Sequence, residues 1–275
     1  MPIPFPRLLV VVAVQAILTL LPAVTSSADE TVGRLYVQDA LVSPNQTAEI
    51  EALLVRKGKE GEVPVPGASL ELVLEGTVVA AAETGPTGIA TFSFIPPRKQ
   101  TLHLIARTKD DSPVSESAAA TVAAWERRTP LLVVEMSALY DPRTREPLPD
   151  AAEELRKLTQ FYYNLVYVSA EEPSAAPNAG FRAAAQTRQW LSAHEFPAGY
   201  ILPAVVSVER LGSMLDALRA AGWTTIKVGI GRTKEFAETF LQRRMEVVIV
   251  PGPATEALPK KAILARDWKD IRRKL

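Results

Sequence analysis

From Thr31 to about Trp125, apolar residues recur at every second position. Leu35 and Val37 open the series; Ala48, Ile50, Ala52 and Leu54 continue it, followed by Leu70, Leu72 and Leu74, then Phe92 and Phe94, then Leu102, Leu104 and Ala106. A period of two is that of half-buried antiparallel strands, whose successive side chains point to opposite faces. The gaps carry turn residues: Pro44-Asn45, Lys57-Gly58, Pro66-Gly67, Gly76, Gly85-Pro86 and Pro96-Pro97. Short strands at this spacing predict a β-sandwich. Asn45-Gln46-Thr47 matches a glycosylation acceptor and is read as a turn, as is Asp110–Pro113. The charged Glu126–Pro130 is the expected link to the second half of the chain.

After Thr129 the pattern becomes short apolar runs alternating with helical stretches. The leading run, Leu131–Asp141, reads L-L-V-V-E-M-S-A-L-Y-D and ends its apolar part in Glu135. Continuous apolar runs mark strands buried on both faces. The series continues with a helix near Asp150–Gln160, a strand Asn164–Ser169, a helix near Phe181–His194 and a strand Tyr200–Leu202. A helix near Val208–Ala221 closed by Gly222, a strand Thr225–Gly229, a helix near Lys234–Arg243 and a strand Glu246–Val250 complete it. Such order predicts a mostly parallel sheet with helices on both faces, and chemistry beyond the carboxyl ends of its strands. In the tail, Leu264, Trp268, Ile271 and Leu275 share a helical face, expected either to dock as a capping helix or to meet an anionic membrane.

The opening residues run differently again. Arg7, the apolar Leu8–Leu21, Pro22 and the small residues before Ala28 have the form of a secretory signal peptide over residues 1–28, the alternative being an uncleaved amino-terminal anchor. The expected location is therefore exported, periplasmic or extracellular. The 275 residues carry no net charge, which gives no support to a nucleic-acid partner. They contain no Cys, which excludes disulfides, thiolate metal sites and a thiol nucleophile. His103 and His194 fall in different halves, so no paired role is expected of them, and Ser137 and Ser169 have no nearby His for a Ser–His–Asp triad. Phe161-Tyr162-Tyr163 is expected to pack beneath the sheet or to line a substrate site.

Two resemblances add to this reading. Val65-Pro66-Gly67-Ala68 and Thr84-Gly85-Pro86-Thr87-Gly88-Ile89-Ala90-Thr91-Phe92 resemble the strand entry and hairpin of bacterial immunoglobulin-like domains, with Ala90 and Phe92 pointing inward. Residues 29–125 are thus expected to be an immunoglobulin-like sandwich. The first strand, Tyr167-Val168-Ser169-Ala170, Thr187-Arg188-x-Trp190-Leu191 and Val228–Arg232 resemble the haloacid dehalogenase-like (HAD) superfamily, in its lipin-type phosphatidate phosphatase branch. The fold class this implies for the whole chain is two-domain: an all-β immunoglobulin-like sandwich followed by an α/β three-layer HAD-like (Rossmannoid) domain over residues 126–275.

That resemblance implies Mg²⁺-dependent hydrolysis of phosphate esters by an aspartyl nucleophile, and the chain departs from it at each motif. Glu135 and Ser137 stand where two Asp belong, and a Ser hydroxyl cannot replace a carboxylate acid/base. Ser169 matches the second motif, Arg210 is the nearest substitute for the third motif's Lys, and Phe236 falls where a metal-binding Asp belongs. Arg232 and Lys234 add positive charge that would repel a divalent ion. The expectation is a pseudo-phosphatase acting as a binding or scaffold module, with no metal ligands and no cofactor. An anion or phosphate-bearing ligand would sit on Gly229, Gly231, Arg232 and Lys234, where a Gly-x-Gly turn opens a helix; the same glycines also serve simply to bend the chain. The alternatives are an atypical HAD phosphohydrolase acting on a phosphate ester such as a phospholipid, with Glu135 as nucleophile and Mg²⁺ as cofactor, or a structural envelope or adhesion component whose partner is another envelope protein.

Overall fold

Alternation along the first hundred residues folds into two sheets that face each other. The computed structural model describes residues 33–59, 61–109, 116–169, 178–202, 208–250 and 258–275; the signal-like residues 1–28, Ala170 and the expected turn at 110–113 lie outside them. The strands run β1 (Gly33–Val37), β2 (Ala40–Val42), β3 (Ala48–Lys57), β4 (Glu62–Pro64), β5 (Ser69–Leu74), β6 (Thr77–Glu83), β7 (Ile89–Phe94), β8 (Gln100–Thr108) and β9 (Ser117–Ala124). In one sheet β3 is central and pairs antiparallel with β1, β4 and β7. The other has the order β2-β9-β8-β5-β6. Between them lie Leu35, Ile50, Leu54, Leu70, Leu72, Phe92, Leu104 and Val122. This is an immunoglobulin-like β-sandwich. Gly88 turns the chain into β7 at φ +76°, and a Cβ there would meet the Leu54 carbonyl oxygen at 2.6 Å, so only glycine fits.

The second half supplies β10 (Leu131–Glu135), α1 (Ala151–Phe161), β11 (Asn164–Val168), α2 (Ala179–Ala193), β12 (Tyr200–Leu202), α3 (Val208–Ala220), β13 (Ile226–Gly231), α4 (Lys234–Gln242), β14 (Glu246–Ile249), β15 (Ile263–Leu264) and α5 (Trp268–Ile271). Its strands pair in parallel in the order β12-β11-β10-β13-β14-β15. β10 is central, and all its residues are buried, as a continuous apolar run requires. Leu155, Leu158, Ala184, Leu191, Trp268 and Ile271 cover one face of this sheet; Leu211, Leu215, Phe236 and Phe240 cover the other.

The sandwich and the parallel sheet are not separate bodies. Ala123 at the end of β9 and the following Trp125 belong to the core under the second face of the parallel sheet. Phe181 of α2 packs against Tyr36, Leu53 and Val55 on the outer side of the sandwich. Where the chain passes from β1 to β2, Asp39 is buried and accepts from Thr121 N–H (2.8 Å), Ile201 N–H (3.1 Å) and Arg188 Nη2 (2.5 Å). One carboxylate thus ties β9, β12 and α2 together.

The expected fold class is corrected on two counts. The chain as a whole is mostly β, 39% strand against 25% helix, and no HAD-like Rossmannoid domain is indicated. Two residues that carried the HAD resemblance, Arg188 and Trp190, also have structural partners away from the carboxyl-end cleft. Arg188 bonds Asp39 and the Val37 carbonyl (3.2 Å). Trp190 lies against Tyr140 and Phe196 and donates to the Arg145 carbonyl at 3.1 Å. The tail also differs from the membrane-contact reading: α5 is a single turn, Trp268 is 1% exposed, and its indole N–H reaches the Ala138 carbonyl at 3.0 Å.

Candidate functional site

Placed at the middle of a parallel sheet, the tip of β10 delivers Glu135 beside the end of β13 and the start of α4. A 3₁₀ turn, Met136–Ala138, comes directly after it and keeps Ser137 close by. Glu135 is 1% exposed. Its Oε2 accepts the backbone N–H of Arg232 at 2.7 Å and of Thr233 at 3.1 Å, and its Oε1 accepts the Thr233 hydroxyl at 2.7 Å. Thr233 is also the N-cap of α4, its Oγ1 accepting Phe236 N–H at 3.2 Å. The amino terminus of α4, with its outward N–H groups and positive dipole end, therefore holds an anion-type group supplied by the chain itself.

Charge and burial oppose each other at this point. Burial pushes the Glu135 carboxyl above the ordinary glutamate value of 4.5, while the Arg232 and Thr233 donors favour the ionised form and offset part of the shift. The Ser137 and Ser169 hydroxyls are buried with no hydrogen-bond partner among the described residues. Arg232 turns its guanidinium toward the Tyr140 carbonyl at 3.4 Å, and Lys234 pairs along its own helix with Glu238 at 3.7 Å. Arg210 stands exposed on the first turn of α3.

Gly229 and Gly231 do not form the expected turn into the helix. Both are buried residues of β13, which runs two positions past the predicted end at Gly229. A Cβ at Gly229 would lie 2.6 Å from Phe240 Cε1, and one at Gly231 would lie 2.2 Å from Phe236 Cδ1. Their role is close packing: two missing side chains let the stacked rings of Phe236 and Phe240, 4.6 Å between centroids, lie flat on the sheet. The N–H groups that face Glu135 come from the next two residues.

The groups around Glu135 do not fit Mg²⁺. That ion takes oxygen ligands in an octahedral shell, whereas the partners of Glu135 are N–H and O–H donors, with the cation of Arg232 alongside. Among the described residues no group of three or more His, Asp or Glu is placed to hold a metal. Sequence reading missed Thr233, although a Thr directly before a helix is a standard N-cap signal. It also missed Asp39, which nothing local marks. Near Asp39, Tyr200 is half-buried, and its hydroxyl is pushed up to about 12 by desolvation and by the neighbouring carboxylate.

No protein-family model matches this chain, and no curated protein matches it. Among solved structures it is similar to the CARDB domain of a Pyrococcus furiosus protein (19% identity over 34% of this chain and 94% of that one, TM-score 0.24). It is also similar to the Ig1-2 module of the Drosophila receptor protein tyrosine phosphatase DLAR (13% identity, 40% of this chain and 62% of that one, TM-score 0.27). A third likeness is to a β-glycosidase from Bacteroides vulgatus (10% identity, 80% of this chain and 34% of that one, TM-score 0.35).

Proposed function

We propose that the chain is a non-catalytic structural or binding module, exported by its signal-like residues 1–28, whose carboxyl-end site is closed by its own glutamate. The observation that carries this is the triple engagement of Glu135 by Arg232 and Thr233. A nucleophile needs a free oxygen aimed at an incoming phosphorus within a few tenths of an ångström, and both oxygens of Glu135 are already accepting hydrogen bonds. A phosphoryl group would need the same N–H donors that the carboxyl group occupies. The immunoglobulin-like sandwich supports the same reading, since two facing sheets around an apolar core suit a scaffold.

The test is an assay of the purified full chain with an aryl phosphate and Mg²⁺, beside Glu135→Ala. The expected result is no turnover above buffer in either protein. Turnover that disappears in Glu135→Ala overturns the proposal.

A further inference from the structure

The opposite end of the parallel sheet carries a surface that the Glu135 site does not touch. α1 ends in Phe161, and the next residues, Tyr162 and Tyr163, are anchored by N–H bonds to the Leu158 carbonyl at 3.1 and 3.2 Å. That anchoring fixes the backbone and leaves the rings outside. Phe161 is 71% and Tyr162 63% exposed, the highest values among the large apolar side chains described. The two rings stand edge to face with centroids 6.2 Å apart. Beside them is a groove of about 520 Å³ lined by Tyr162, Tyr163, Arg219, Lys227, Arg244 and Glu246, among others.

The charge in this groove is unbalanced. It holds three cations against the one carboxylate of Glu246, and none of the three is in an ion pair among the described residues. The acid nearest in sequence to Arg219, Asp216, lies in its field but makes its contacts with Arg243, at 3.0 and 2.8 Å. Leaving adjacent Phe and Tyr rings in water costs apolar hydration, and leaving three cations together costs repulsion. A partner that is apolar beneath and negative on top relieves both at once.

We propose that this corner is a contact site for an anionic lipid bilayer, with Phe161 and Tyr162 entering at headgroup depth and Arg219, Lys227 and Arg244 facing the lipid phosphates. A Tyr ring with its polar end settles at the membrane interface, an apolar Phe ring enters the acyl boundary beside it, and long basic side chains reach past them to the charged layer. An acidic protein would have to offer a preformed pocket for each protruding ring; a bilayer deforms to receive both. The cations suit the same partner, since among the described residues none is held on a single carboxylate and long side chains adapt to a diffuse negative surface.

The test is co-sedimentation of the full chain with vesicles of phosphatidylcholine alone or mixed with phosphatidylglycerol, at low and high salt. The Leu8–Leu21 stretch is present in every protein compared, so differences between variants report on this corner. One variant combines Phe161→Ser and Tyr162→Ser; the other combines Arg219→Gln, Lys227→Gln and Arg244→Gln. The wild type is expected to bind the anionic vesicles in a salt-sensitive manner, and the charge variant to bind roughly a hundredfold less tightly. The ring variant is also expected to bind less tightly, with both variants melting near the wild-type temperature. Wild-type binding no tighter than that of either variant overturns the proposal, as does binding to soluble poly-glutamate with none to anionic vesicles.

Discussion

A carboxyl group at the tip of a buried parallel strand can be satisfied by water and metal, or by the N–H donors of a neighbouring helix. Glu135 takes the second course, and the consequences are measurable. Replacing it with Ala orphans the N–H groups of Arg232 and Thr233, at about 1–3 kcal/mol for each buried donor left unpaired. Formate added to Glu135→Ala is expected to return part of that loss in thermal melts, because it refills the vacated position. The folded pKa of Glu135 is raised above the unfolded value, so the folded state holds the proton more tightly. Its contribution to stability is therefore complete below about pH 4.5, declines as the pH rises through the folded pKa, and is level above it. In denaturant titrations, wild type relative to Glu135→Gln is expected to follow that course; a pH-independent difference would refute it. At this scale much was legible in the sequence. The abrupt end of an apolar run pointed to Glu135, and Arg232 does lie beside it. The contribution of Arg232, however, is its backbone N–H rather than its charge, and a pattern of side chains does not display backbone donors.

At the scale of elements, β13 and α4 are matched by subtraction. Gly229 and Gly231 leave a bare lane on the sheet, and the i, i+4 pair Phe236 and Phe240 fills it. Gly231→Ala is expected to cost about 1–3 kcal/mol through overpacking against Phe236. Combined with Phe236→Leu, it is expected to cost clearly less than the two changes summed, which a double-mutant cycle in urea measures. The sequence suggested a phosphate-type turn here because Gly-x-Gly before a helix is the pattern of both arrangements. Local spacing does not distinguish a glycine that bends from a glycine that makes room. The tail shows a similar limit. Trp268 and Ile271 share a face as expected, but only the fold reveals that this face meets the core under α1, while Leu264 of the same predicted stripe is 55% exposed.

For the molecule as a whole, three sheets meet, and Asp39 is a polar tie among the described residues that reaches β9, β12 and α2. Arg188, its partner, is 149 positions away in sequence, beyond the reach of any periodicity. Strand alternation made the sandwich readable, because a period of two reports a face. How the sandwich would sit on the rest of the chain was not readable, because that depends on pairings at long range. Asp39→Ala leaves the Arg188 guanidinium without its counter-charge and the N–H groups of Thr121 and Ile201 without their acceptor, and is expected to cost about 3–5 kcal/mol. The wild type is expected to melt in one calorimetric transition, and Asp39→Ala to show the sandwich and the parallel sheet coming apart separately.

The course of β9 has a practical corollary for anyone dissecting this chain. Because Ala123 and Trp125 plug the floor of the neighbouring layer, a fragment cut at Glu126 would lose two of its own interior wedges and show a greasy scar to water. A carboxy-terminal piece that stays in solution should have to begin upstream, carrying a borrowed ribbon of its neighbour.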